Sequence, residues 1–127
     1  MRRARPLVAV VDDEPGVLAA LARMLQSEPC EVRTTSSPWE LLEWVREGGV
    51  DVVLSDHSMP GMPGTELLQR VEDISPETRG VMITAHRGRV GLHPGGRRAV
   101  RRIVEKPWND AELKGLIHGL LERGSPG

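Results

Sequence analysis

The sequence predicts one α/β domain in which a five-stranded parallel sheet is doubly wound, with helices on both of its faces. Short apolar runs rich in β-branched residues alternate along the chain with segments whose apolar residues recur at helical spacing, and this alternation is typical of a parallel sheet. The chain has 127 residues, which is the size of one domain. Its content of 39% hydrophobic and 28% charged residues is ordinary for a globular protein.

The composition argues against several classes of function. The formal net charge is −1, so no bulk charge attracts the chain to nucleic acid or to a membrane surface. No run of 18 apolar residues predicts a membrane span, and Asp12 and Asp13 interrupt any signal-length apolar core after the basic start. Cys30 is the only cysteine and cannot form an internal disulfide. We therefore expect a reducing compartment, the cytoplasm.

Five apolar segments are predicted to form the strands of the sheet. The first, Leu7–Val11, is short and mostly β-branched, which is typical of a strand buried on both faces. The second, Glu31–Thr35, is a weaker signal. The remaining predicted strands cover residues 50–54, 81–84 and 102–105.

Helix signals lie between these strands and after the last one. Pro15 suits the first turn of a helix that follows the first strand. Residues 37–40 and 109–112 each have the pattern of a capping box, and Gly48-Gly49 ends the second helix. A third helix is predicted over residues 65–73. The apolar positions that define the first and last helices are Val17, Leu18, Leu21, Leu25, Leu113, Leu116, Ile117, Leu120 and Leu121.

The stretch of residues 86–99 is the irregular part of the pattern. A helix belongs there, between the fourth and fifth strands, but the stretch contains four glycines and Pro94. Glycine and proline disfavour a continuous helix, so the fourth helix is predicted to be short or irregular. We expect this stretch to be mobile. Residues 1–127 form one domain in this interpretation, with a tail at 1–5 and a tail or linker start at 124–127.

Polar side chains follow the predicted strands at one edge of the sheet. Asp12 and Asp13 follow the first strand, Asp56 the third and Lys106 the fifth, while Thr84 ends the fourth. Ligands bind at the carboxyl ends of the strands in an open parallel sheet. Neighbouring carboxylates repel one another, and oxygen-only ligands favour Mg²⁺ as the ion that relieves the repulsion. A phosphoryl group on Asp56 would find the positioning and charge neutralisation that phosphoryl transfer needs.

Four motifs at these strand ends resemble the response-regulator receiver domain family of two-component signalling, whose fold is flavodoxin-like. Any one of them alone would be a weak signal, but four in order are highly specific. The resemblance covers about residues 6–122. The motifs are Val-Val-Asp-Asp-Glu-Pro at 10–15, Asp-His-Ser-Met-Pro-Gly-Met-Pro-Gly at 56–64, Met-Ile-Thr-Ala at 82–85 and Glu-Lys-Pro-Trp at 105–108.

The resemblance implies a phosphoacceptor and a set of metal ligands. Asp56 would accept a phosphoryl group from a histidine kinase, from a phosphotransfer protein or from a small phosphodonor. Asp13 would bind Mg²⁺ directly and Asp12 through water. The main-chain carbonyl of Ser58 would be a further ligand.

The resemblance also implies how the phosphate is sensed and how long it lasts. Lys106 would pair with the phosphoacceptor or its phosphate, and its bond to Pro107 would be cis. Thr84 would move to the phosphate and report its arrival. Ser58 and His86, two residues beyond the phosphoacceptor and beyond that threonine, would flank the path of attacking water.

The output of the domain departs from the family pattern. Ile103 stands where the family commonly has Tyr or Phe, three residues before the lysine, and it has no ring to turn inward. We therefore expect the signal to pass through residues 86–103, either to an effector domain in the same chain or to an acidic protein partner. The stretch 86–99 is expected to become more ordered when Asp56 is phosphorylated or a partner binds. On this interpretation the domain is a switch and not an enzyme.

Rival interpretations remain open for the domain as a whole. A protein-binding module with the receiver fold that works without phosphorylation would be marked by loss of an acidic residue, the threonine or the lysine, and all are present. A phosphatase would have Asp-x-Asp after the first strand, where the two aspartates here are adjacent. The seven arginines of residues 79–102 could contact nucleic acid, but no aromatic residue is interleaved for stacking, so we do not expect it.

Individual site residues also have ordinary structural explanations. Asp12 and Asp13 could cap a helix, Asp56 could form a turn and Lys106 could be a solvated loop charge. Their order along the chain, each at a strand end, is what favours the functional interpretation.

Overall fold

The computed structural model describes residues 5–85 and 100–124, which form five strands and four helices. No helix in these two ranges is long and apolar enough to cross a membrane. The elements are β1 (Leu7–Val11), α1 (Pro15–Leu25), β2 (Glu31–Thr35), α2 (Pro38–Glu47), β3 (Val50–Asp56), α3 (Gly64–Ile74), β4 (Arg79–Thr84), β5 (Val100–Glu105) and α4 (Asp110–Gly124).

The five strands form one sheet in the order β2-β1-β3-β4-β5, and each neighbouring pair is parallel. The predicted five-stranded parallel class is therefore confirmed. Since β1 and β3 are neighbours at the centre, the segments that follow them emerge side by side at the carboxyl edge of the sheet. A strand order that reverses at β1 creates the crevice in which α/β proteins of this class bind ligands.

The sheet has a separate apolar core on each face, as a doubly wound fold requires. Successive side chains of a strand point to opposite faces. Leu7, Ala9 and Val11 of β1 therefore join the buried side chains of α2 and α3, while Val8 and Val10 join those of α1 and α4. Both clusters are mostly aliphatic, which explains how the chain forms its core without Phe or Tyr.

Both predicted capping boxes lie at helix starts. The Ser37 hydroxyl accepts a hydrogen bond from the Glu40 amide at 3.2 Å, and Asn109 Oδ1 accepts one from the Glu112 amide at 3.0 Å. The reciprocal half of the first box is taken over by Thr35. Its hydroxyl donates to the Glu40 carboxylate and accepts from the Ser37 amide. This links the end of β2 to the start of α2.

The first two strands have the predicted bounds, and β3, β4 and β5 are each two residues longer than predicted. The ladder between β3 and β4 runs from Val52 opposite Arg79 to Asp56 opposite Ile83, so it includes polar residues at both ends. Main-chain pairing does not depend on apolar side chains, which is why hydrophobicity alone underestimates strand length. The predicted short or irregular helix of residues 86–99 lies outside the described residues. In the predicted N-terminal tail, Arg5 donates hydrogen bonds to two main-chain carbonyls of the loop between α1 and β2.

Candidate functional site

Three carboxylates meet at the carboxyl edge of the sheet, between the ends of β1 and β3. Each of Asp12, Asp13 and Asp56 offers an oxygen, and these oxygens lie within 4.8 Å of one another. Asp12 is 1% exposed and Asp56 is 6% exposed, while Asp13 faces solvent. The donors are all oxygen, with one ligand open to water, and this set fits a hard divalent cation such as Mg²⁺.

Asp12 is held in place by hydrogen bonds that use both of its carboxylate oxygens. Its Oδ1 accepts from the Glu14 amide at 2.9 Å, and its Oδ2 lies 3.5 Å from Lys106 Nζ. Burial raises the pKa of Asp12, and the nearby charge of Asp56 adds to this effect; the Glu14 amide and Lys106 offset part of it. A neighbouring cation would therefore stabilise the ionised form of the buried Asp12 carboxylate.

Lys106 brings the positive charge to the cluster. Its Nζ donates to Asp56 Oδ1 at 3.2 Å as well as facing Asp12. Burial alone would lower the pKa of Lys106, but the hydrogen bond to Asp56 and the charges of both aspartates outweigh it, so the pKa is raised. The ammonium is thus charged at neutral pH. The Lys106–Pro107 bond is cis, as the sequence resemblance implied, and the Lys106 amide donates to the Thr84 carbonyl at 2.7 Å.

Thr84 is the last residue of β4, next to the strand that ends in Asp56. It is 3% exposed and pairs with Glu105 of β5, so its position lies between the ends of β3 and β5. The strand register therefore places Thr84 at the same sheet edge as the carboxylates and Lys106.

An open depression lies beside the carboxylates. It is lined by Asp13 together with residues of the loop between β3 and α3, named here the β3–α3 loop (residues 57–63). Ser58 is exposed on this surface, next to the candidate metal position. His57 is half-buried and lines the same depression. His86, the other residue proposed to flank the water path, lies outside the described residues.

Both ends of the β3–α3 loop are fixed by main-chain contacts. The His57 amide donates to the Ile83 carbonyl at 2.9 Å, and the Gly64 amide donates to the His57 carbonyl at 2.8 Å. A Cβ atom at Gly64 would lie 2.4 Å from the main-chain oxygen of Asp56. In the sequence, Gly64 is only the last residue of the motif at 56–64. Its close approach depends on the packing of α3 against the end of β3, which no local pattern encodes.

Ile103 lies in β5 and is half-buried against the cluster that includes Met82 and the inner faces of α2 and α3. It thus packs as an aliphatic core residue at the position where the family commonly has an aromatic ring.

The fold and the site together define the class: an open, doubly wound α/β domain with three aspartates and a lysine at the crevice of its sheet. The model of the family described as Response regulator receiver domain matches residues 8–118, and the chain belongs to this family. The predicted membership is confirmed. Receiver domains of this family are signalling modules.

The curated relatives that the chain matches are longer proteins. The chain is 27% identical to the DNA-binding transcriptional regulator NtrC of Azospirillum brasilense over 94% of the chain and 25% of the relative. It is 31% identical to the transcriptional regulatory protein GlrR of Escherichia coli (strain K12) over 92% of the chain and 26% of the relative. The chain thus spans about a quarter of the length of these relatives.

The structure of the chemotaxis protein CheY4 of Vibrio cholerae is similar over its whole length. Its TM-score to this chain is 0.82 at 26% identity, covering 93% of this chain and 100% of that one. The flavodoxin-like fold that the sequence resemblance implied is therefore confirmed.

Asp13→Asn is expected to weaken Mg²⁺ binding and to raise the unfolding midpoint of the metal-free protein. The substitution removes one of three mutually repelling carboxylates. The resemblance implies that Asp13 binds the ion directly, and loss of such a ligand should cost at least the roughly 10- to 100-fold in affinity that outer-shell partners cost. Titration calorimetry and thermal unfolding in chelator measure the two effects. Glu14→Gln, an exposed neighbour outside the cluster, is the control. Equal Mg²⁺ affinity of Asp13→Asn and the parent would remove Asp13 from the site.

Proposed function

We propose that this chain is the phosphoacceptor domain of a two-component response regulator, and that Mg²⁺-dependent phosphoryl transfer to Asp56 switches its output surface. The observation that carries the proposal is the contact of Lys106 Nζ with Asp56 Oδ1, in a cluster where three carboxylates approach one another. A lysine paired with a buried carboxylate beside a cation-binding cluster is suited to stabilising a phosphoryl group as it transfers.

In the proposed step, one carboxylate oxygen of Asp56 attacks the phosphorus of the donor. An O–P bond forms on Asp56 while the P–N bond of a donor phosphohistidine breaks, or the P–O bond of a small acyl phosphate. A Mg²⁺ ion bound by Asp13, by Asp56 and by the main-chain carbonyl of Ser58 would neutralise charge on the phosphoryl oxygens. Asp12 would act through water, since both of its oxygens already have partners.

Two side chains would receive the new phosphate. The Lys106 ammonium, now on the Asp56 carboxylate, would pair with a phosphate oxygen. The Thr84 hydroxyl at the end of the neighbouring strand would provide a second hydrogen bond. Neighbouring Ser55 is a poor acceptor, because it is fully buried and its hydroxyl donates to the Asp56 carbonyl at 2.9 Å.

The parent chain is expected to gain the mass of one phosphoryl group when it is incubated with acetyl phosphate and Mg²⁺. Incubation with chelator in place of Mg²⁺ is the control, because neutralisation of the carboxylate cluster requires the ion. Intact-mass spectrometry measures the gain. If neither acetyl phosphate nor phosphoramidate adds the mass, the domain is a protein-binding module that works without phosphorylation.

Ser58 and His86 are proposed to set the lifetime of the phosphate, since Ser58 lines the open depression beside Asp13. Exchanging Ser58 and His86 for alanine is expected to change the hydrolysis rate of the aspartyl phosphate more than the rate of its formation. Loss of the phosphoryl mass over time, after removal of the donor, measures hydrolysis. Equal changes in both rates would show that the two side chains do not control access of water.

The partners of the domain follow from the same proposal. A cytoplasmic histidine kinase or phosphotransfer protein would supply the phosphoryl group. The similarity to NtrC and GlrR, which are named as transcriptional regulators, supports an effector domain as the receiver of the signal. An acidic protein partner at residues 86–103 is the other proposed output, because that stretch is rich in arginine.

A further inference from the structure

Trp39, in the first turn of α2, is an exposed aromatic residue whose ring touches the β3–α3 loop. It is 53% exposed, the one large hydrophobic side chain so exposed within residues 5–85 and 100–124. Its ring lies against Gly61: a Cβ atom added there would be 3.1 Å from Trp39 Cη2 and 3.4 Å from Cζ3. Burial in the core does not explain this placement, since Leu41, Leu42 and Val45 bury the inner face of α2.

The β3–α3 loop is restrained differently at its ends and at its middle. Its ends are fixed by main-chain hydrogen bonds, whereas its centre turns at Gly61, which has a φ of +84° and no side chain to pack. Met59 and Met62 anchor the loop to the core, with 7% and 1% exposure. Thioether side chains are flexible and specify position weakly. The rigid indole ring on Gly61 is therefore the contact best suited to fix the turn.

We propose that Trp39 is a positioning residue for the metal site. Its ring restrains the Gly61 turn and thereby the main chain at Ser58, three residues earlier in the same loop. The inference rests on the proposed function, in which the Ser58 carbonyl binds Mg²⁺. Trp39 touches neither the ion nor the phosphoryl group in this proposal, and it acts only by limiting the conformations of the loop before the ion binds.

The first test is the Mg²⁺ dissociation constant of the whole chain, measured by titration calorimetry. Trp39→Ala should raise it about three- to tenfold, because binding must then also supply the free energy that fixes the Gly61 turn. Trp39→Phe should weaken binding nearly as much, because its shorter ring lacks the Cη2 and Cζ3 atoms that meet Gly61. Trp44→Leu is the matched control, since Trp44 lies on the same helix but packs on the core and under Arg33, 4.4 Å from the guanidinium carbon. It should leave the affinity unchanged.

The second test needs no ion. Amide hydrogen exchange at residues 58, 59, 61 and 62 in the metal-free protein should be faster in Trp39→Ala and in Trp39→Phe than in the parent, and unchanged in Trp44→Leu. Unchanged exchange would overturn the proposal whether or not the chain binds Mg²⁺. A lower unfolding midpoint with unchanged exchange and unchanged Mg²⁺ affinity would also overturn it, since Trp39 would then have only a structural role. A parent chain that fails to bind Mg²⁺ would instead contradict the proposed function.

Discussion

Replacing Asp56 with asparagine is expected to abolish phosphoryl uptake from acetyl phosphate. An amide is not a nucleophile at phosphorus, and Asp56 is the carboxylate that Lys106 Nζ contacts most closely, at 3.2 Å. Unfolding of the variant should not explain the loss of phosphoryl uptake. The substitution removes one of three repelling carboxylates, and Lys106 retains Asp12 as a partner at 3.5 Å. Intact-mass spectrometry after incubation with the donor and Mg²⁺ measures uptake, and thermal unfolding confirms that the variant is folded.

Asp73→Asn is the matched control for this substitution. Asp73 is an exposed aspartate on α3 whose carboxylate accepts only from Gln69 among the hydrogen bonds of the described residues, so uptake should remain at the parent's level. Uptake by Asp56→Asn at the parent's rate would place the phosphoryl group elsewhere. Ser58 and His57, which line the depression beside Asp13, would then be the side chains to examine.

Replacing Gly64 with alanine is expected to destabilise the fold by about 3 kcal/mol, at the upper end of what overpacking a well-packed site costs. The new Cβ would lie 2.4 Å from the Asp56 carbonyl oxygen, 2.8 Å from Met82 Sδ and 3.0 Å from His57 Cα. The methionine could move, but the two main-chain atoms can move only with the end of β3. Phosphoryl uptake should therefore fall together with stability, because the displaced strand end carries the phosphoacceptor.

Denaturant unfolding compares this variant with Gly115→Ala. Gly115 lies within α4, and a Cβ atom there meets nothing within 4 Å. Gly115→Ala should be neutral or stabilising by up to about 1 kcal/mol, since alanine favours a helix over glycine. If the free energy of unfolding of Gly64→Ala is within about 0.5 kcal/mol of the parent's, the close approach of α3 to the end of β3 is not a constraint on this fold.

The site residues could be predicted because each lies at the end of a strand or within two residues beyond it. Alternating apolar segments predict strands, parallel strands end at one edge, and the carboxylates and lysine are read from the chain at those ends. The pairing of Lys106 with Asp56 and the close approach of the three carboxylates agree with that reasoning. The helix starts at Ser37 and Asn109 could also be predicted from neighbouring residues, because an N-cap side chain bonds to a main-chain amide within one turn.

The contacts that restrain the site could not be predicted in the same way. Gly64 is one glycine of the motif at 56–64, yet its role is steric and depends on where α3 begins. Trp39 belongs to a capping-box pattern that predicts the start of a helix but not which loop the ring meets. Its contact with Gly61 joins segments that are 22 positions apart in the sequence. Such contacts depend on tertiary packing, which periodicity and propensity do not encode.

The most direct test of the proposed function is to find which residue carries the phosphoryl group. The parent chain is incubated with acetyl phosphate and Mg²⁺ and then treated with borohydride, which reduces an acyl phosphate to an alcohol and so converts a phosphorylated aspartate into homoserine. Proteolysis and tandem mass spectrometry locate the change. The expected result is homoserine at position 56, with Asp12 and Asp13 intact and no conversion in chelator. Phosphate recovered on Ser58 or His57 with an unaltered Asp56 would contradict the assignment of Asp56 as the phosphoacceptor.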